Sequence, residues 1–193
     1  MGLRDVMFGR KKLAEPKEDK LFALSTAAVT LQTELNLKTA GVAAVAFKPQ
    51  SSGEFRSAFD DIDKLTDAIA QQCGSEVERK SDEFGFDWII VKDPDLEDLV
   101  TTVHTLASEM TAQGFGPQLL AADFKFASLS KESGDQPVYW IYGFKRGAYW
   151  PFVPSGDKER DNAMELELKA KLEGELPIEQ DLTRWLALFD API

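Results

Sequence analysis

Between Leu120 and Phe144 the apolar residues alternate: Leu120, Ala122, Phe124 and Phe126, then Val138, Trp140, Tyr142 and Phe144. Period two is the signature of a strand with one buried face, and a helix would scatter these side chains around its axis. A turn signal at Gly134 and Asp135 separates the two runs, so the stretch predicts a β-hairpin. A third segment, Ala148 to Val153, follows a tight turn at Arg146 and Gly147. Pro151 cannot donate to a ladder, so that segment is an edge strand at best, leaving two or three strands in this region.

Elsewhere the period is helical. After Asp19, the residues Leu21, Leu24, Ala28, Leu31 and Leu35 predict a helix to about Leu37. Gly41 to Phe47 is a short buried strand ending at Pro49. Ser51 with Glu54 fits a capping box for a second helix, with Phe55, Phe59, Ile62, Leu65 and Ile69 as its stripe and Gly74 as its stop. Val77 to Val91 predicts a strand pair turning between Ser81 and Gly85, with Phe84, Phe86, Trp88 and Ile90 on one side. Asp93 is expected to cap a third helix with Pro94 at its first position, and Leu96, Leu99, Val103, Leu106 and Met110 repeat up to Gly114. Met164, Leu168 and Leu172 predict a further helix, and Leu182, Trp185, Leu186 and Phe189 a short final one.

Strands joined mostly by turns, with helices between them, imply an α+β fold: a mostly antiparallel sheet with helices packed on one face. The 193 residues suit one hydrophobic core. Residues 1–18 differ in character and read as an N-terminal arm, leaving 19–193 as a single α+β domain.

The chain carries 33 acidic and 22 basic residues, a formal charge of -11. That sign repels phosphate backbones at long range, which argues against nucleic acid as a partner. A single cysteine, Cys73, forbids an internal disulfide and points to a reducing compartment. Neither a spanning apolar run nor a signal-peptide core occurs, so the expected location is cytoplasmic.

Catalytic chemistry is sparse. His104 is the single histidine; on its helix it lies away from the stripe of Leu99, Val103 and Leu106, facing solvent or a partner. Zinc through two histidines is impossible, and a serine or cysteine nucleophile would have only His104 as base. Cys73 beside Gly74 reads as a small apolar residue at a helix end. Gly114 and Gly116 lack the lysine and serine of a phosphate loop and trail a helix, so they read as a cap and turn. Asp60, Asp61, Asp63 and Asp67 read as a solvated helix face. Asp93, Asp95, Glu97 and Asp98 sit where a helix N-terminus favours acids. No metal site or cofactor is expected.

The segment from Tyr142 to Asn162 is the richest. Lys145, Arg146, Tyr149 and Trp150 put a cationic turn beside aromatics, a combination common at binding hot spots, and Arg160 and Asp161 follow. These six residues form the candidate partner-binding set. The competing readings are a filled aromatic core, a small-ligand or enzyme pocket near Tyr142, Arg160 and Asp161, and a homodimer interface that consumes the aromatics. In the arm, Leu3, Val6, Met7 and Phe8 followed by Arg10, Lys11 and Lys12 have two readings: a segment that docks on a membrane surface or a partner, and a flexible or self-docking terminus.

Several stretches together resemble the PspA-associated PspAB family: MGLRDVMFGRKK, LFALSTAAVTLQ, GFGPQLL, YGFKRGAYWPFVP, ERDNAMELELK and LPIEQDLTRWLALF. The likeness spans nearly the whole chain. It implies association with the phage-shock system, whose coiled-coil PspA proteins protect stressed inner membranes, and hence a cytoplasmic, at most peripherally membrane-bound adaptor. It brings no catalytic residues. The order of elements also resembles secretion-chaperone and YbjN-like folds, an analogy of fold alone.

Overall fold

The computed structural model describes residues 16–48, 64, 66–72, 74–129, 136–189 and 191–193. Strands β1 (Leu37–Phe47), β2 (Glu76–Ser81), β3 (Asp87–Lys92), β4 (Leu119–Ser128), β5 (Val138–Gly143) and β6 (Ala148–Phe152) form one sheet, ordered β2-β3-β1-β4-β5-β6. Every pair in it is antiparallel. The alternating stretch is indeed the β4–β5 hairpin, and β6 with Pro151 is the edge strand. Its open edge is capped by the chain itself, because Tyr149 N–H donates to the Pro177 carbonyl at 2.8 Å and Glu179 N–H to the Tyr149 carbonyl at 2.9 Å. A small ribbon, β7 (Pro154–Gly156) with β8 (Glu159–Arg160), follows.

The helices are α1 (Ala23–Thr26), α2 (Ala28–Thr33), α3 (66–72), α4 (Leu96–Ala112) and α5 (Asn162–Leu172). Directly paired residues project to the same side of a sheet, so the registers define two faces. The first carries Val45, Ile89, Ala122 and Tyr142 across four strands. It joins Leu99, Val103, Leu106 and Met110 of α4, together with Leu24 and Leu31, in the main core. The result is α+β with α4 laid on one face, as the periodicities require.

Several boundaries differ from the sequence reading. The helix expected from Asp19 to Leu37 is a 3-10 turn (Glu18–Phe22) followed by the short α1 and α2. Thr26 and Thr33 hydroxyls bond back to the carbonyls of Phe22 and Val29, a contact that distorts helices. Asn36 then adopts φ 52°, which few side chains tolerate, and turns the chain into β1 at Leu37. Gly41 lies inside that strand, at a bulge, with φ 77°. A Cβ there would sit 3.3 Å from the Asp93 carbonyl oxygen, so glycine extends the strand where its bare sequence suggested a start.

The cap of α4 is Asp95, whose side chain accepts from Glu97 and Asp98 N–H. Asp93 instead accepts from Asp95 N–H and the Ser75 hydroxyl, bracing the strand-to-helix turn. Phe84 lies in the β2–β3 turn and is exposed, rather than lining up with Trp88 and Ile90. The final helix shrinks to one 3-10 turn, Leu182–Arg184, after which Trp185 to Phe189 run irregularly. Ile69 of α3 is buried, and Gly74 at φ 76° closes that helix. The capping box and stripe at Ser51, Glu54, Phe55, Phe59, Ile62 and Leu65, the carboxylates Asp60, Asp61 and Asp63, and Cys73 lie outside the described residues. So do the Gly134–Asp135 turn and the arm residues Leu3, Val6, Met7, Phe8, Arg10, Lys11 and Lys12.

Candidate functional site

The second face of the sheet is where small residues line up. Trp88 on β3 pairs with Ala46 on β1, Ala46 with Ala121 on β4, and Ala121 with Gly143 on β5. Two alanines and a glycine in succession leave a trough, walled by the Trp88 indole at one end and the Trp150 indole at the other. Gly143 is required there, since a Cβ would come within 2.9 Å of the Trp150 ring. A bulge between Ala46 and Phe47 turns Leu120 onto this face, away from Ala122, with which the sequence pattern had grouped it.

The resulting cleft measures about 430 Å³ and is completed by Phe86, Leu186 and Leu188. Both indoles spend their N–H groups elsewhere: Trp88 donates to Asp82 at 2.9 Å and Trp150 to the Leu186 carbonyl at 2.9 Å. Only their apolar surfaces therefore face the cleft. Burial pushes the Asp82 carboxyl up, but donation from the Trp88 indole and from Phe86 and Phe84 N–H outweighs it and holds the group below the usual range.

Lys145, Arg146 and Arg184 form one edge of the cleft. Arg146 reaches Glu179 at 3.4 Å, and Arg184 pairs with Asp181 at 2.9 Å. Lys145 is exposed and has no ion-pair partner among the described residues.

Of the six sequence-selected residues, Lys145, Arg146 and Trp150 meet at this cleft. The other three are engaged in packing. Tyr149 faces the first side, fully buried, and its hydroxyl donates to the Leu21 carbonyl at 2.6 Å. Asp161 caps α5 by accepting from Met164 N–H at 3.0 Å. Arg160 forks onto the buried Glu165 at 2.9 Å and donates to the Trp185 carbonyl at 2.8 Å. Tyr142, expected beside Arg160 in the alternative pocket, donates its hydroxyl to the Lys17 carbonyl, and burial raises its pKa well above that of an ordinary phenol. His104 does not face open solvent: its ring lies 4.7 Å from that of Phe22, and Nε2 is 3.9 Å from an Asp19 oxygen.

One functional candidate escaped the sequence reading. Asp123, central in β4, pairs with Ala44 and Ile141 on the second face and is 1% exposed. Neither carboxyl oxygen has a hydrogen-bond partner among the described residues. Burial pushes its pKa up to about 8, only partly opposed by Lys125, so the group is mostly neutral at pH 7. The strand segment Leu119 to Ser128 holds it as a lone acid, which was the available signal.

Among the described residues no cluster of His, Cys, Asp and Glu could hold a metal, and no helix is long and apolar enough to cross a membrane.

Fold and cleft define an α+β protein whose single large antiparallel sheet carries helices on one face and an apolar trough with a cationic edge on the other. The chain belongs to the PspAB family: the model described as PspA associated protein B matches residues 1–193, its whole length. No curated protein and no solved structure matches it.

Proposed function

We propose that the chain is a non-enzymatic adaptor of the phage-shock response that engages a PspA-type coiled-coil protein at the cytoplasmic face of the inner membrane. The observation that carries this reading is the cleft, in which two tryptophans flank an apolar floor and three cations gather at one edge of a molecule of charge -11. Such a trough suits the apolar stripe of an amphipathic helix, with acidic residues flanking the stripe meeting Lys145, Arg146 and Arg184. The family description supplies the partner's class.

The test is calorimetry and size-exclusion chromatography of the full chain with purified PspA. Lys145 and Arg146 are exposed, so Lys145→Glu with Arg146→Glu reverses the edge charge, and an unchanged circular-dichroism spectrum and melting midpoint verify that losing the Arg146–Glu179 pair leaves the fold intact. The expected result is at least a tenfold loss of affinity. Unchanged binding removes the cleft as the site, and no complex with the unaltered protein removes the adaptor reading.

The cleft volume also falls in the range of small-molecule sites, about 300–1,000 Å³, which favours an anionic amphiphile as a second reading. A fatty-acid probe that competes with PspA for the cleft supports shared use. A probe that binds while PspA does not makes the chain a ligand sensor.

A further inference from the structure

We infer that the C-terminal segment, residues 185–189 and 191–193, is a displaceable strap over the second face of the sheet, with the Asp123 carboxyl as its proton-operated latch. As regulation of the cleft, this rests on the adaptor reading; the strap's mechanics do not.

Continuity of surface is the first support. Leu186 and Leu188 line the cleft, while Leu188, Ala191 and Ile193 pack over the patch formed by Ala44, Ala46, Trp88 and Ile90. The strap therefore fills one half of an apolar surface whose other half stands open. A helix seated in the open half would gain contact area by taking over the strap's half.

The second support is the thinness of the attachment. Between Leu186 and Ile193 no described backbone N–H donates to the sheet; Ala191 N–H donates within the strap, to the Leu188 carbonyl at 3.2 Å. Side chains hold the segment instead: the Trp150 indole on the Leu186 carbonyl, Arg160 on the Trp185 carbonyl, and Phe189 edge-on to Phe152 at 5.0 Å. Segments with few backbone bonds are the ones that open locally.

Asp123 gives the strap its switch. The carboxyl shares the face that the strap covers, opposite Ala44 and Ile141. Around it, β4 contributes Lys125 and β5 contributes Tyr139 as the charged and titratable groups, β1 presents alanines, and β6 presents Trp150. Leu188, Ala191 and Ile193 are apolar, and Asp190 lies outside the described residues. Lys125 directs its ammonium over the Tyr139 ring, at 5.8 Å, rather than onto the carboxyl. A carboxylate without partners is tolerated in such a place only as the neutral acid, whereas lifting the strap admits the water that lets it ionise. Closure thus goes with the bound proton and opening with its release.

Hydrogen exchange of the full chain alone, corrected for intrinsic rates, tests the mechanics. Opening of the 185–193 peptide should rise about tenfold per pH unit from pH 5 and level off near pH 8, and Asp123→Asn should abolish that slope. A flat profile in the unaltered protein, or the same slope in the variant, overturns the latch. For the regulatory part, a chain ending at Leu186 should bind PspA at least tenfold more tightly. Leu188→Ser, which loosens the strap without shortening the chain, serves if the truncation does not fold. Weaker binding of either form makes the strap part of the receptor and overturns its displacement. If the exchange slope behaves as expected and no form binds PspA, the adaptor reading falls and the latch stands.

Discussion

Asp123 concentrates the chemistry of this protein in one side chain. An ordinary Asp ionises near 3.9, and here burial pushes the pKa up to about 8. Between those values the native state holds a proton that the unfolded chain releases, so stability falls as pH rises from about 4 and levels off above about 8. Each pH unit in that window costs about 1.4 kcal/mol, which puts the loss by pH 7 on the order of 4 kcal/mol as an upper bound. Asp82 and Asp181, whose pKa values are lowered, act oppositely: their stabilisation is present above the usual carboxylate range and lost as pH falls through their lowered values. The informative quantity is therefore the difference between two proteins. Denaturant melts of Asp123→Asn and the unaltered chain should diverge with pH, the variant being the more stable by a few kcal/mol at pH 8 and nearly equal at pH 4. Parallel curves would mean that the carboxyl finds a partner in solution.

At the scale of elements, the strap and the edge of the sheet share one anchor. Glu165 of α5 is 2% exposed and accepts from Val153 N–H at 2.9 Å as well as from Arg160. Removing one member of a buried, hydrogen-bonded ion pair leaves the other charge unpaired, at a cost of about 3–5 kcal/mol. Arg160 is partly exposed, which discounts the lower figure. Arg160→Ala is expected to lower stability by about 2 kcal/mol, with the added loss of the Trp185 carbonyl bond showing as faster exchange in the 185–193 peptide. Arg160→Lys should not restore it, because an ammonium lacks the fork that spans both acceptors. Elements also mark where the sequence was legible. The β4–β5 hairpin and α4 were readable because their periods, Leu120 at the bulge apart, run on through residues such as Phe124 and Leu106. The trough was not, because Trp88, Ala46, Ala121 and Gly143 meet only through strand register, and Leu120 reaches it through a bulge. Asp123 alternates with Ala122 and Phe124 as a solvent-facing residue should, and nothing local in the strand announces that it is buried. Lys145, Arg146 and Trp150 stood out because a hairpin tip keeps neighbours in sequence together in space.

For the whole molecule, charge sets how the cleft is approached. At low salt the net charge of -11 repels an acidic partner at long range; at 0.1 M salt that field is largely screened beyond about 10 Å, so the partner responds mainly to the edge formed by Lys145, Arg146 and Arg184 as it comes close. Long-range charge acts on the association rate, whereas the desolvated apolar contact governs dissociation. Replacing both Lys145 and Arg146 by Glu changes the net charge by four, from -11 to -15, and should slow association with PspA steeply at 0.05 M salt. Raising salt to about 0.5 M shortens the Debye length to a few ångströms and should recover most of that rate. Leu120→Ala, which lowers one wall of the trough without touching a charge, should leave association unchanged and speed dissociation about tenfold at every salt concentration, the cost of about 1.4 kcal/mol expected for a partly lost side-chain contact. Stopped-flow fluorescence of the cleft tryptophans reads both rates. If the two variants show the same salt dependence, edge and trough do not divide the work in this way, and the partner's acidic flank does not lie along Lys145 and Arg146.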